Sequence, residues 1–160
     1  MTFETLRRGL LRGAAAGAAA TATLDAVTYA DMAIRGRPSS STPQRTVETV
    51  AAAVGLRVPG TGEKKESRLT GLGALAGIAT GTSVGAVLGV VRELGWRPGN
   101  LTGGLVTTGI VLVAANGPMV ALRITDPRTW SAADWTADLV PHLAYGAVMY
   151  ATLAAMDREN

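Results

Sequence analysis

The chain of 160 residues has no cysteine and a single histidine. It therefore has no disulfides, no thiolate metal ligands and no cysteine nucleophile, and a lone histidine cannot by itself supply a multi-histidine zinc site. Only 17% of the residues are charged, against roughly 25% in a soluble domain, and they collect in short stretches between long uncharged runs. This distribution excludes a water-soluble enzyme core and indicates a membrane-embedded protein.

The charge balance points to the lipid bilayer as the partner. The net charge is +3 and the sequence pI is about 9.8, but the basic residues flank apolar runs instead of lining one face of a domain. Anionic lipid headgroups are the counter-charge that suits this arrangement, and we expect no nucleic acid.

Four segments are long enough to cross a bilayer, which takes roughly 20 residues. Residues 69–91 and 101–122 are uncharged throughout, and residues 135–156 carry only Asp138 near their start. Residues 10–34 are alanine-rich and contain Arg12, Asp25 and Asp31, each costing about 2.5–3.5 kcal/mol at a helix centre. The sequence predicts an all-α integral membrane four-helix bundle, a single domain over residues 1–160.

The start of the chain has two interpretations. Arg7 and Arg8, followed by leucines and alanines, are similar to a twin-arginine export signal that would be cleaved. We expect the segment to be retained as a helix, because a cleaved leader ahead of three further spans is an unusual arrangement. The distribution of basic residues does not decide the membrane orientation.

The first loop contains a helix signal of its own over residues 43–55. Thr42 and Pro43 are suited to an N-cap and a first helical turn, and Gly55 to a C-terminal cap. Val47, Val50, Ala51 and Val54 share one face, as in an amphipathic helix on the bilayer surface or a loop helix that packs on the bundle. A second capping signal, Ser131 followed by Asp134, precedes the last span.

The second span carries a glycine zipper, five glycines spaced four residues apart. Because lipid supplies little hydrophobic drive between helices, a groove without side chains promotes association by letting another backbone approach. Gly13 and Gly17 in the first segment, and Ala147, Ala151 and Ala155 in the last, have the same spacing. Intramolecular packing and a homo-oligomeric or pore-lining interface both remain open. The zipper residues are Gly73, Gly77, Gly81, Gly85 and Gly89.

Polar side chains from three spans calculate to one membrane layer. Asp25, Asn116 and His142 each lie ~10–14 Å from the membrane face that bears the first and third loops. Asp138 lies one helical turn before His142 on the same face. Since isolated polar groups are expensive in hydrocarbon, we expect them to bond to one another inside the bundle. The cluster is either a proton relay or a polar clamp that fixes which helices pack.

Two segments give the chain a resemblance to a known family. DMAIRGRPS at residues 31–39 joins an acidic residue to an Arg-Pro-Ser turn, and PHLAYG at residues 141–146 places a histidine in the last span. With four spans and a glycine- and alanine-rich first helix, the chain resembles the YagU-type family of bacterial inner-membrane proteins. The resemblance implies a multi-pass inner-membrane protein linked to acid tolerance, and it assigns no catalytic residue.

The expected function is that of a small, non-enzymatic inner-membrane accessory protein in membrane stress, without cofactor or metal. One alternative is a proton-coupled transporter or channel acting as a homo-oligomer, with Asp25 as the coupling carboxylate. Another is a structural subunit of a larger membrane complex. An enzyme is disfavoured because nothing in the sequence resembles a nucleophile with an oriented base.

Overall fold

The computed structural model describes residues 2–158, which are helical throughout apart from short connections and contain no strand. The predicted spans 10–34, 69–91 and 135–156 each lie within one helix, and 101–122 coincides with a helix to within one residue at each end. The all-α class is thereby confirmed. The helices are α1 (Phe3–Arg35), α2 (Thr42–Ala53), α3 (Gly62–Glu93), α4 (Asn100–Ala121) and α5 (Ala132–Arg158), with a 3-10 turn over Pro127–Thr129.

Three helices, α3, α4 and α5, are long and apolar enough to cross a membrane. Of the helices described, α1 is the longest at 33 residues, yet it falls short in hydropathy. Its alanines, glycines and threonines each contribute little apolar surface, and Asp25 lies within the stretch. Three of the four predicted spans thus have the length and hydropathy that a membrane-spanning helix needs, and the fourth stays a prediction.

The four long helices pack side by side in the order α3, α1, α5, α4. α1 contacts α3 along much of its length and also contacts α5, while α5 contacts α4. α3 and α4, although consecutive in the chain, touch only slightly. The buried core lies between α1, α3, α4 and α5 and consists of Ala16, Ala20, Leu88, Val111, Tyr145, Met149 and Leu153.

The predicted loop helix is present as α2. Its N-cap is Ser41 instead of Thr42, one residue earlier than predicted, since Pro43 fits at the second helical position. Gly55 adopts φ +75° and the amide of Leu56 bonds to the carbonyl of Ala51, which closes the helix in a Schellman motif. α2 packs on α3 and has no fully buried residue.

The predicted capping box at the start of α5 is also present. The carboxylate of Asp134 accepts hydrogen bonds from the amide and the hydroxyl of Ser131, and the Asp134 amide donates to the Ser131 hydroxyl. In the connection just before it, Arg128 donates to Asp126 and lowers the pKa of that carboxyl, because the hydrogen bonds favour its charged form. The entry into α5 is therefore fixed locally.

Candidate functional site

Three of the five zipper glycines pack against glycines of α1, and we call these six residues the glycine seam. All six are buried. A Cβ added at Gly85 would lie 2.6 Å from the Cα of Gly17, and one added at Gly89 would lie 2.6 Å from the Cα of Gly13. Both values are far below ordinary carbon contact, so the two backbones touch. The seam consists of Gly9, Gly13 and Gly17 on α1 and Gly81, Gly85 and Gly89 on α3.

The other two zipper glycines have different surroundings. Gly73 faces α2, where an added Cβ would lie 3.1 Å from the Cβ of Pro43. Gly77 is exposed, with nothing within 4 Å of an added Cβ. The five glycines therefore do not form one interface. Contacts within the chain account for four of them, and Gly77 opens onto the outer surface.

The alanines of the last span do not form a packing face. Ala147, Ala151 and Ala155 are all exposed. α5 instead meets α4 at Gly146, where an added Cβ would lie 2.5 Å from the carbonyl oxygen of Gly104. The four-residue spacing of alanines therefore did not identify the contact of α5 with α4, which a single glycine makes because it permits closer approach than alanine.

Tyr145 connects α5 to the glycine seam. Its side chain is fully buried, and its hydroxyl donates a hydrogen bond of 2.6 Å to the carbonyl oxygen of Gly81. The hydroxyl of Thr21, also buried, donates to the carbonyl of Gly17 within α1. The polar groups near the seam are thereby satisfied without water.

The predicted polar residues of α4 and α5 meet in a small polar cluster of Asn116, Asp138 and His142. Asn116 Nδ2 donates to Asp138 Oδ2 at 3.0 Å and so links the two helices. His142 Nδ1 lies 2.7 Å from the backbone oxygen of Asp138 and 3.6 Å from its Oδ1. The imidazole is 9% exposed, so it faces the packed interior.

Asp25, in contrast, does not join this cluster. It is partly buried on α1 and, within residues 2–158, forms no hydrogen bond or ion pair. Gly81 lies against Gly17 and accepts the Tyr145 bond, so Asp25 lies about two helical turns beyond this contact on α1, whereas His142 lies within one turn of Tyr145 on α5. The expected direct hydrogen bond or ion pair between Asp25 and His142 is absent, because depths counted from the helix ends do not show how the helices are shifted along one another.

The polar cluster has the groups needed to hold a proton. With Nδ1 donating to a backbone carbonyl, the neutral imidazole of His142 keeps Nε2 as a free acceptor. The Asp138 carboxylate, one turn away, receives a single side-chain hydrogen bond from Asn116. The same contacts also clamp α4 to α5, so the geometry is compatible with both sequence interpretations.

A charged cluster at the opposite end of the bundle was not predicted. Arg8 donates to Glu93 at 2.7 and 3.1 Å, and Arg12 lies 3.7 Å from the same carboxylate. Arg92 and Arg97 lie 2.8 and 3.5 Å from Asp157. The charged end cluster thus ties α1 to α3 and α3 to α5. Its sequence signal was the presence of opposite charges at three helix ends on one membrane face.

Arg92 is the most enclosed member of the charged end cluster. It is 8% exposed, and its guanidinium lies over the ring of Tyr150, 4.9 Å from the centroid. Its Nη1 is the one buried side-chain polar atom without a hydrogen-bond partner in the described part of the chain. In this cluster of described residues, four arginines face two carboxylates, Glu93 and Asp157, so positive charge predominates in the cluster.

The segment behind the family resemblance is held by ion pairs. Asp31 pairs with Arg35, 2.6 Å away, and with Arg37 in the turn that follows α1.

No known protein family, curated protein or solved structure shows a significant match to this chain. The YagU-type resemblance therefore stays a prediction.

Proposed function

We propose that this protein is a four-span, non-enzymatic protein of the bacterial inner membrane that serves an accessory role in membrane or acid stress. The membrane setting follows from the helices, and the accessory role from the resemblance. Within the described residues, no hydroxyl or amine is bonded to the His142 imidazole. The proposal therefore includes no nucleophile activated by an oriented base.

The outer surfaces of the helices support the membrane setting. In the apolar windows of α3, α4 and α5, only 28%, 17% and 39% of the residues are buried. Large side chains such as Leu101, Val113 and Leu75 remain 77%, 71% and 62% exposed. In water such a surface would be a severe aggregation liability, whereas hydrocarbon solvates it.

The glycine seam is the observation that supports the assignment of α1 as the fourth membrane span. The buried face of α1 consists only of glycine, alanine and threonine, so it offers little apolar area to bury from water. Close backbone contact between small residues is, however, the way helices associate in lipid. A helix that is weakly hydropathic alone becomes stable in the bilayer when α3 covers its backbone.

Two experiments test this proposal. The full chain expressed in bacteria should sediment with membranes and resist extraction by alkaline carbonate, since integral helices are not released. A strain lacking the protein should survive acid shock less well, with rescue by the wild-type chain. Release by carbonate would refute the membrane assignment, and unchanged survival would refute only the accessory role.

A proton-linked transport activity is the second candidate, favoured by the polar cluster that joins two candidate spans. In vesicles with an internal pH dye, the wild-type protein should then relax a pH gradient, and Asp138→Asn and His142→Gln should each abolish that activity. Wild-type flux equal to empty vesicles would leave the polar cluster as a structural clamp.

A further inference from the structure

The consecutive helices α3 and α4 touch only slightly, and an apolar cleft lies between them. Its volume is about 570 Å³, within the ~300–1,000 Å³ typical of ligand sites. Its walls are formed almost wholly by aliphatic side chains, and Ser83 supplies the only hydroxyl. Water in this cleft would find almost no hydrogen-bond partner, so its occupant must be apolar. The lining includes Val84, Val87, Leu88, Val106 and Ile110.

The cleft has a polar end. Trp96 closes it and packs edge-on against Tyr150, with ring centroids 6.4 Å apart. Tyr150 in turn lies under the guanidinium of Arg92, and Arg97 follows Trp96 in the chain. Tryptophan at the boundary of an apolar surface is typical of the headgroup level of a bilayer.

Positive charge predominates at this end. Among the described residues, the four arginines of the charged end cluster share two carboxylates, and Arg97 lies near Glu93 as well as near Asp157. The Arg97 side chain is 51% exposed and its Nη1 lies 3.5 Å from the Asp157 carboxylate, so it is available to a further anion. A ligand that suits both ends has an apolar chain and an anionic head.

We infer that the α3–α4 cleft binds one acyl chain of an anionic phospholipid, with the lipid phosphate against Arg97. This inference rests on the proposed membrane setting, because the cleft faces hydrocarbon only if both walls span the bilayer. From Ser83 to Val91 the cleft runs about 12 Å along α3, enough for the upper half of an acyl chain. Phosphatidylglycerol and phosphatidylcholine with the same acyl chains differ in headgroup charge. A comparison of the two lipids therefore distinguishes binding of the acyl chain in the cleft from binding of the anionic headgroup at Arg97.

Trp96 can report on the cleft once the other two tryptophans are removed. In the Trp130→Phe/Trp135→Phe protein, quenching is measured in equal mixtures of phosphatidylglycerol and phosphatidylcholine, with bromine on the chains of one lipid class at a time. We expect an about fivefold preference for phosphatidylglycerol, the factor that corresponds to about 1 kcal/mol for one arginine near an anionic headgroup. Native mass spectrometry of the wild-type protein, counting retained phosphatidylglycerol, checks the result without the tryptophan substitutions.

Matched variants distinguish the contribution of the headgroup contact to lipid binding from the contribution of the cleft. Arg97→Gln should bring the preference close to one, whereas Arg128→Gln, at an 89% exposed side chain at the opposite end, should leave it unchanged. Val106→Phe narrows the cleft and should at least halve quenching by either lipid, while Leu105→Phe, outside the lining, should not.

Three outcomes would overturn the inference. Equal quenching by the two lipids would show that no anionic headgroup is selected. Absence of quenching in vesicles that carry the protein on flotation would show that another helix, such as that of a second copy, fills the cleft. Failure of the protein to float with the vesicles would refute the membrane setting itself, a result distinct from the other two.

Discussion

Replacement of glycine by alanine, which adds one methyl group, should change the stability of the fold differently at two positions of α3. Gly85 lies in the glycine seam and Gly77 faces outward, yet both belong to the same four-residue repeat on α3. We therefore expect Gly85→Ala to destabilise the fold and Gly77→Ala to leave it unchanged or make it more stable.

The magnitudes follow from the contacts. A Cβ at Gly85 would lie 2.6 Å from the Cα of Gly17, whereas carbon atoms pack at about 3.5–4.0 Å. α1 must therefore move outward by about 1 Å, and overpacking of this kind costs about 1–3 kcal/mol. Alanine regains up to about 1 kcal/mol of helix propensity at either position. With that gain subtracted, Gly85→Ala should cost up to about 2 kcal/mol and Gly77→Ala should gain up to about 1 kcal/mol, so the two variants should differ by about 1–3 kcal/mol.

The assay is unfolding in mixed micelles as the fraction of sodium dodecyl sulfate rises, followed by tryptophan fluorescence. Gly81→Leu, which puts a four-carbon side chain against Thr21, should amplify the seam effect and separate α1 from α3. Equal free energies of unfolding for Gly85→Ala and Gly77→Ala would refute the intramolecular seam. Loss of a dimer with Gly77→Leu alone would show that the outward glycine serves association between copies.

Three further predictions concern polar contacts. Tyr145→Phe should cost about 0.5–1.5 kcal/mol, because it removes a buried hydrogen bond between α5 and α3 while the Gly81 carbonyl keeps its helical amide donor. A double-mutant cycle between Asn116→Ala and Asp138→Ala should give a coupling energy of about 0.6–1.7 kcal/mol, the range for hydrogen bonds between membrane helices. Asp157→Asn should cost about 3 kcal/mol, because Arg92 is then enclosed without its carboxylate. All three are measured by the same unfolding titration.

Each of these has a matched control. Tyr29→Phe removes a hydroxyl from a side chain that is 61% exposed and should change nothing. The cycle between Asp25→Ala and His142→Ala should give no coupling energy, and a measurable coupling would contradict the absence of a contact between Asp25 and His142. Asp126→Asn removes a carboxylate from an exposed ion pair and should have no measurable effect, so a loss as large as that of Asp157→Asn would contradict the burial argument.

Much of the fold could be read from local signals. Runs without charge locate α3, α4 and α5, and the Ser131–Asp134 capping box and Gly55 mark helix ends whose bonds are all within a few residues. α1 was harder to assign, because its hydropathy is low and its packing depends on close contact with α3, which its own sequence does not show. The N-cap of α2 is one residue earlier than predicted because proline fits at the second helical position as well as at the first.

The candidate site could be read only in part, since register between helices is a tertiary property. Spacing identified the seam glycines but did not tell Gly77 from Gly81, because which way a position faces depends on the partner helix. Depth counting placed Asn116 and His142 in one layer and helical spacing placed Asp138 beside His142, but the direct contact expected for Asp25 is absent. The charged end cluster needed the crossing of α1, α3 and α5, which no local pattern specifies.

The central claim, that α1 crosses the membrane beside α3, is tested most directly by the sidedness of the two ends of α1. The chain has no native cysteine, so Thr2→Cys, Ser40→Cys, Gly99→Cys and Thr129→Cys each give a single reactive thiol. With a maleimide that cannot cross membranes, we predict that Thr2→Cys and Gly99→Cys are labelled from one side of the bilayer, and Ser40→Cys and Thr129→Cys from the other. Labelling of Thr2→Cys and Ser40→Cys from the same side would contradict the account.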